Sequence, residues 1–363
     1  MRLVHLTRVE PGMVVARPVY GAEGQKLLSE GTELRNRYVD YLQKLGVSQV
    51  YVEDDQLEGV VSEDVVDEST WLEIRSAVKE MMAQSKSDDK SEAPTQKQYL
   101  IEDVISEKVD ELIENMLGNP NLVVNLADIR SANSYLFDHS IKVTTLSTAV
   151  GIKLNYPVEI IRQNAYGFLL HDLGYISVPE EILKKEGPLT KEEFEKVKEH
   201  ALFGYEIFKK TSFFSESAGS IILQHHERLN GQGYPYGLEK DNIHWLAQLA
   251  GIADTYDALT SHRPYRKPFR PDEALNILYK EAKEGKYNME MLSTFSTIIA
   301  AYPLGTHVLL NNGHSGLVIG NTGGYPYQPM VRILYKGRKR PLSQPYEVDL
   351  VEQEDLKVEE VVD

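Results

Sequence analysis

At 363 residues, 42% hydrophobic and 26% charged, the chain is long enough for two or three domains and has the composition of a globular protein. Its 39 Lys and Arg against 55 Asp and Glu give a net charge of -16, which excludes broad nonspecific binding to DNA or RNA, because a polyanion meets a repulsive field. The absence of cysteine excludes disulfides, thiolate metal sites and cysteine nucleophiles, so any metal must be held by nitrogen and oxygen.

No apolar run reaches the ~20 residues of a membrane span, and the opening Met1 to Arg8 carries no long apolar stretch. A cytoplasmic protein without membrane insertion is expected. Residues 1–65 alternate short apolar runs with turn signals: Met13 to Ala16 after Pro11-Gly12, Leu27-Leu28 before Gly31, then Val50-Tyr51-Val52. Leu34, Tyr38, Tyr41, Leu42 and Leu45 predict a helix capped by Thr32 and ended by Gly46. These residues read as a small α+β domain with a regulatory role and no catalytic cluster.

Residues 66–98 read as an amphipathic helix on Trp71, Ile74, Val78 and Met81-Met82, followed by a polar linker from Gln84 to Pro94. Helical periodicity then runs through a mainly α-helical domain, residues 99–303. From Tyr302 the pattern changes to Thr306 to Leu310, Ser315 to Gly320 and Met330 to Leu334, short apolar runs between Gly- and Asn-rich turns. A small β-rich appendix over 304–350 and an acidic, solvated tail over 351–363 complete the expected organisation. Lys336 and Arg338 to Arg340 read as surface charge in a hairpin.

The chemistry concentrates in the helical domain. Ile129, Ala132, Leu136, His139, Val143, Leu146 and Val150 step by three and four residues, so His139 lies on an apolar stripe. Ile160, Asn164 and Phe168 lead to His171-Asp172. Thr190 and Glu193 form a capping box opening a helix with Phe194, Val197, His200 and Gly204. His225-His226-Glu227 precedes a glycine turn, and Leu246, Ala250, Ala253, Asp254 and Asp257 repeat the inward pattern.

An isolated inward histidine is ordinarily a hydrogen-bonded core residue. Five histidines and two aspartates in inward settings reverse that balance, because burying unpaired charge costs roughly several kcal/mol per group and metal coordination removes the cost. Gly204, Gly231 and Gly233 read as turn or packing residues. Asp257 reads as a helix tie or a hydrogen-bond partner of a ligand histidine.

The ordered series His139, His171-Asp172-Leu173-Gly174, His200 with Gly204, His225-His226-Glu227, Gly231-Gln232-Gly233-Tyr234-Pro235, Asp254 to Thr260 and Arg263-Pro264-Tyr265-Arg266 resembles the HD-GYP family of cyclic di-GMP phosphodiesterases, within the HD hydrolases. The resemblance covers roughly Leu100 to Pro303. It implies an HD-type metal-dependent phosphohydrolase fold and two divalent metal ions, iron or manganese, held by His139, His171, Asp172, His200, His225, His226 and Asp254, with Asp172 bridging. His171, Asp172 and Asp254 become the catalytic residues. Arg263, Arg266 and Tyr234 become the substrate-binding residues.

The implied reaction is hydrolysis of cyclic di-GMP to pGpG or GMP in bacterial second-messenger signalling. The partners implied are the nucleotide, a second copy of the chain and a signalling protein. Four positions depart from the family pattern: Tyr175 replaces the usual Lys, Tyr135 stands where some members carry a Glu ligand, Asn230 where Asp is common and Asn288-Met289 where Asp-Pro is common. Tyr135 argues against a third metal. Tyr175 sustains a competing expectation, a receptor that binds cyclic di-GMP without turning it over and signals through its flanking domains; a related phosphohydrolase acting on another nucleotide is a third.

Overall fold

The computed structural model describes all residues other than 22–24, 46, 48, 58–59, 61–67, 86–95, 120–123, 125–134, 186, 262–267, 339 and 363. The chain forms two compact units. One comprises Met1–Asp64, Asn121–Asp138 and Thr297–Asp363, and the other Val65–Pro120 and His139–Ser296. The expected polar linker falls largely outside the described residues, as do Ile129 and Ala132.

In the first unit, β1 (Arg2–His5) pairs antiparallel with β4 (Gln49–Val52), and β2 (Val19–Tyr20) with β3 (Lys26–Leu28). Helix α1 (Asn36–Lys44) packs Leu42 into a core with Leu6, Val15, Leu34, Val50 and Val52. Met13 to Ala16, read as a strand, makes only isolated bridges, Val14 to Glu33 and Val15 to Val52. The helix starts at Asn36, with Arg35 rather than Thr32 at its N-cap.

The C-terminal residues form one antiparallel sheet in the order β8-β7-β6-β5-β9, from β5 (His307–Leu310), β6 (His314–Gly320), β7 (Met330–Lys336), β8 (Arg340–Asp349) and β9 (Val358–Val361). Val331 and Ile333 alternate inward on β7, an interior strand of the sheet. Leu317 and Leu334 pack with Leu57, and Arg332 donates to the Gln56 carbonyl at 2.7 Å, tying the sheet to the amino-terminal segment.

The segment read as an acidic tail therefore contributes a strand: Val308 pairs with Val361 and Leu309 with Glu360. Edge positions accept this, since Glu359 and Glu360 project to solvent while the backbone pairs on one side. At the opposite edge, β8 carries Pro341 and Pro345, which an edge strand tolerates because one row of its backbone groups needs no partner.

The second unit is helical. Its helices are α2 (Glu68–Ser85), α3 (Gln96–Leu117), α4 (Tyr135–Lys153, entering from the first unit), α5 (Val158–Leu169), α6 (Glu180–Leu183), α7 (Lys191–Lys198), α8 (His200–Phe208), α9 (Glu216–Gln224), α10 (Trp245–Thr260), α11 (Pro271–Lys283) and α12 (Met289–Thr297). Trp71, Ile74, Val78 and Met81 of α2 and Ile101, Ile105, Val109, Leu112 and Met116 of α3 are buried, and the two helices pack together.

Local signals set several helix starts. The expected capping box opens α7: Thr190 Oγ1 accepts from the Glu193 amide at 3.2 Å, and the Glu193 carboxylate accepts from the Thr190 amide at 2.7 Å. Ser215 caps α9 by accepting from the Ala218 amide at 3.1 Å. Leu246, Leu249 and Ile252 bury α10 as the central helix, each removal from water worth about 1.5–3 kcal/mol.

The 3-10 turn Leu173–Ser177 lies against α8 so closely that a Cβ on Gly174 would sit 1.9 Å from the His200 carbonyl oxygen and 2.5 Å from the Gly204 amide nitrogen. This contact brings the end of α5 beside the start of α8. Gly174→Ala is expected to force those backbones apart and lower stability by about 1–3 kcal/mol or more, read as a reduced urea midpoint at unchanged slope.

Candidate metal centre

Five segments, on or beside helices, deliver seven nitrogen and oxygen donors to one buried place. His139 comes from α4, His171 and Asp172 from the turn after α5, His200 from the first residue of α8, His225 and His226 from the end of α9, and Asp254 from α10. His171, His200 and His225 are fully buried, His139 and Asp172 nearly so. The structure thus brings together all seven residues expected from the sequence.

The donors divide into two groups that could each hold a metal ion: Asp172, His200, His225 and His226, and His139, His171 and Asp254. Asp172 lies between them. Its Oδ1 faces His200 Nε2 at 3.5 Å and His225 Nε2 at 3.7 Å, while its Oδ2 faces His171 Nε2 at 3.4 Å and His139 Nε2 at 3.6 Å. Asp254 Oδ1 lies 3.2 Å from His139 Nε2, and its Oδ2 lies 3.6 Å from His226 Nδ1.

Ring orientation shows whether a cation fits. Nδ1 of His171 donates to the Phe168 carbonyl at 2.7 Å, Nδ1 of His200 to Val197 at 2.6 Å and Nδ1 of His225 to Ile222 at 2.8 Å. A carbonyl only accepts, so the proton of each neutral ring sits on Nδ1 and Nε2 presents a lone pair. His200 Nε2 and His225 Nε2 then face each other at 3.4 Å, lone pair to lone pair. His226 Nε2 is buried without a hydrogen-bond partner. Such donors satisfy one another only around a shared positive charge, and the all-imidazole-and-carboxylate set suits a borderline divalent metal.

The electrostatics of the site separate its carboxylates from its imidazoles. Burial works against charge on Asp172, but His171, His225 and His139 hold its carboxyl well below the usual range. Asp254 is likewise held low against burial, by His139 and His226. Burial drives His200 down to about 4, with His225 adding to it, and pushes His226 well below its ordinary value. His139 goes the other way: burial opposes its charge, but hydrogen bonds to Asp254 and Asp257 push it up to about 10.

Aromatic rings cover the donors. Tyr175 stacks on His200 with centroids 4.3 Å apart and planes at 4°, and Tyr234 stacks on His226 at 4.5 Å. Tyr234 is placed by Glu227, a buried carboxylate that accepts from the Tyr236 amide at 2.8 Å and the Leu238 amide at 2.9 Å. Gly233 lets this loop close, since a Cβ there would meet the Glu227 and Arg228 backbone at 2.4 Å. The Lys198 ammonium lies 5.7 Å from the Tyr234 ring centre and 5.0 Å from that of Phe194. Arg263 and Arg266, the other expected substrate contacts, lie outside the described residues.

Sequence reasoning passed over Glu227 as a loop clamp, although its place directly after His225-His226 marked it. It also passed over Lys142, whose signal was a lysine one helical turn beyond His139 on the inward stripe. Both residues are buried.

The displaced histidines, His139 upward and His200 and His226 downward, set a pH dependence for metal-stripped protein. Between about 6.5 and 4 the unfolded chain protonates before folded His200 does, so stability falls as the pH drops through that window. Between 6.5 and about 10 folded His139 keeps a proton that the unfolded chain releases, so stability falls as the pH rises. Urea midpoints of metal-stripped protein are expected to peak near pH 6.5 and to decline on either side.

Residues 121–291 match the family described as HD domain, and residues 307–363 match a KOW domain associated with HD domain. A cyclic di-GMP phosphodiesterase of Pseudomonas aeruginosa is 32% identical over 240 residues, 66% of this chain and 58% of that protein. A cyclic di-GMP phosphodiesterase of Thermotoga maritima is 31% identical over 201 residues, 55% of this chain and 54% of that protein. A 3′3′-cGAMP-specific phosphodiesterase of Vibrio cholerae is 32% identical over 182 residues, covering 49% and 41%. The chain therefore spans little more than half the length of the first two curated relatives, and less of the third. Among solved structures, an HDG"Y"P protein from Bdellovibrio bacteriovorus shares the fold, with a TM-score of 0.52 at 16% identity over 81% of this chain and 97% of that one. Residues 121–291 thus carry an HD domain, in the stretch where the chain is similar to proteins named as cyclic dinucleotide phosphodiesterases.

Proposed function

We propose that this chain is a metal-dependent phosphodiesterase that hydrolyses cyclic di-GMP to pGpG, GMP or both in bacterial second-messenger signalling. The observation that carries the reading is the pair of facing lone pairs on His200 and His225, 3.4 Å apart beside Asp172, an arrangement suited to holding a cation next to a phosphate. The curated relatives named for cyclic di-GMP support the substrate.

Two cations fit the two donor groups, with Asp172 spanning both and the remaining six residues divided between them. Iron and manganese suit imidazole and carboxylate alike. When bound, they would lower the pKa of a water and neutralise phosphate charge during its in-line attack.

The chain's own groups then orient and enclose. His171, Asp172 and Asp254 fix the reacting centre, Tyr234 offers an aromatic face beside His226, and Arg263 and Arg266 supply phosphate contacts by their place in the motif. The protein is proposed to act in the cytoplasm. Its amino-terminal residues 1–65 take the regulatory role, through a second copy of the chain or a signalling partner, and residues 99–303 form the catalytic domain.

One observation favours a second reading. Tyr175 presents a neutral ring stacked on His200 where family members usually place a phosphate-facing Lys, which suits a receptor that binds the nucleotide without cleaving it. Metal-loaded protein incubated with cyclic di-GMP separates the two by chromatography of the products. The enzyme reading expects pGpG or GMP from the wild type and a loss on the order of a thousandfold or more in the His171→Ala, Asp172→Ala double variant. Tight binding with no product from metal-replete protein would establish the receptor. Tyr175→Lys is expected to raise kcat by about tenfold or more if the missing cation limits the rate.

A further inference from the structure

The imidazole of His139 is held differently from those of His171, His200 and His225. Those three donate Nδ1–H to main-chain carbonyls, whereas His139 Nδ1 donates to a buried carboxylate, Asp257 Oδ2, at 2.7 Å. Asp257 lies one turn beyond Asp254 on α10 and is 1% exposed. Its other oxygen receives the Lys142 ammonium at 3.3 Å and the Ser261 hydroxyl at 3.0 Å. Lys142 is itself buried and lies one turn beyond His139 on α4. Two facing helices thus each supply a donor to the centre and, one turn on, a charge behind it.

We propose that Asp257 is a positioning residue that makes the metal position of His139, His171 and Asp254 the tighter of the two, and that Lys142 balances its charge. This rests on the metal-centre reading above. A carboxylate fixes the His139 tautomer as a carbonyl would, with Nε2 directed at Asp254 and Asp172. It also draws the Nδ1 proton toward itself, leaving more electron density on Nε2 and making the ring a stronger ligand than its carbonyl-bonded neighbours.

Left alone, an ionised carboxylate in this interior would be heavily destabilising. The Lys142 ammonium and the Ser261 hydroxyl make its burial tolerable on the side away from the ligand. The two positions are then unequal by construction. One has a histidine backed by charge, and the other has His200 and His225 backed by main-chain dipoles.

The test is a titration of the full, metal-stripped chain with cobalt(II), followed by its visible absorption and by competition with a chelator of known affinity. The wild type is expected to fill in two steps. In Asp257→Asn, which keeps an oxygen acceptor for His139 and removes the charge, the tighter step is expected to weaken by about 10–100-fold while the weaker step stays within about twofold. The Asp257→Asn, Lys142→Met double variant removes both charges, leaves no unpaired buried ammonium, and is expected to show the same selective loss with the fold retained by circular dichroism.

If both folded variants keep both steps within about twofold of wild type, the proposal is overturned. If both steps fall together, Asp257 only maintains the fold and the proposal is likewise overturned. A wild type that takes up no cobalt would instead sink the metal-centre reading itself.

Discussion

Two imidazole nitrogens that turn their lone pairs on one another inside a protein are the constraint around which the helical unit is built. The main-chain bonds on the far side of His200 and His225 leave those rings no alternative tautomer while neutral, and burial keeps His200 neutral across physiological pH. The mutual approach of the five segments that carry the donors must therefore be held by packing elsewhere. The glycines at 174 and 204 matter for this reason: they allow backbones to meet where any side chain would separate the donors. Metal affinity and fold stability are consequently one quantity seen from two sides, because a cation binding the folded chain alone stabilises it by mass action.

Over this centre lies a layer of aromatic rings with a different task. Tyr175 and Tyr234 cover two of the histidines, and Tyr234 is held in place by a loop whose amides are pinned to Glu227 rather than by packing alone. A carboxylate taking two backbone donors holds a loop more firmly than apolar contact would, since both partners are charge-assisted. The Lys198 ammonium rests near Phe194 and Tyr234 at the edge of that layer, paired with the Glu195 carboxylate at 2.7 Å.

The donors were legible in the sequence because each sits on or directly after a helix whose apolar period points inward, and because their order along the chain forms a distinctive series. What supports them was less legible. Lys142 and Glu227 act on partners reached by folding, and nothing local distinguishes a buried lysine from a solvated one until Asp257 stands opposite. The C-terminal sheet shows the same limit. Its central strands announce themselves by alternation, but β8 contains two prolines and β9 two adjacent glutamates, features that argue against a strand except at an edge, and edges are known only once the sheet is assembled. The arginines of the basic segment, at 263 and 266, were read from motif alone and carry no geometry.

The compact unit that contains the five-stranded sheet is assembled from both ends of the sequence and from Asn121–Asp138, with the two pieces of the helical unit lying between them along the chain. During synthesis the amino-terminal segment emerges early, yet Leu57 meets Leu317 and Leu334 only after some 260 further residues have been made. That small cluster therefore cannot close until the sheet has been made, whereas the core of Leu6, Leu34, Leu42 and Val50 lies wholly within the first residues of the chain.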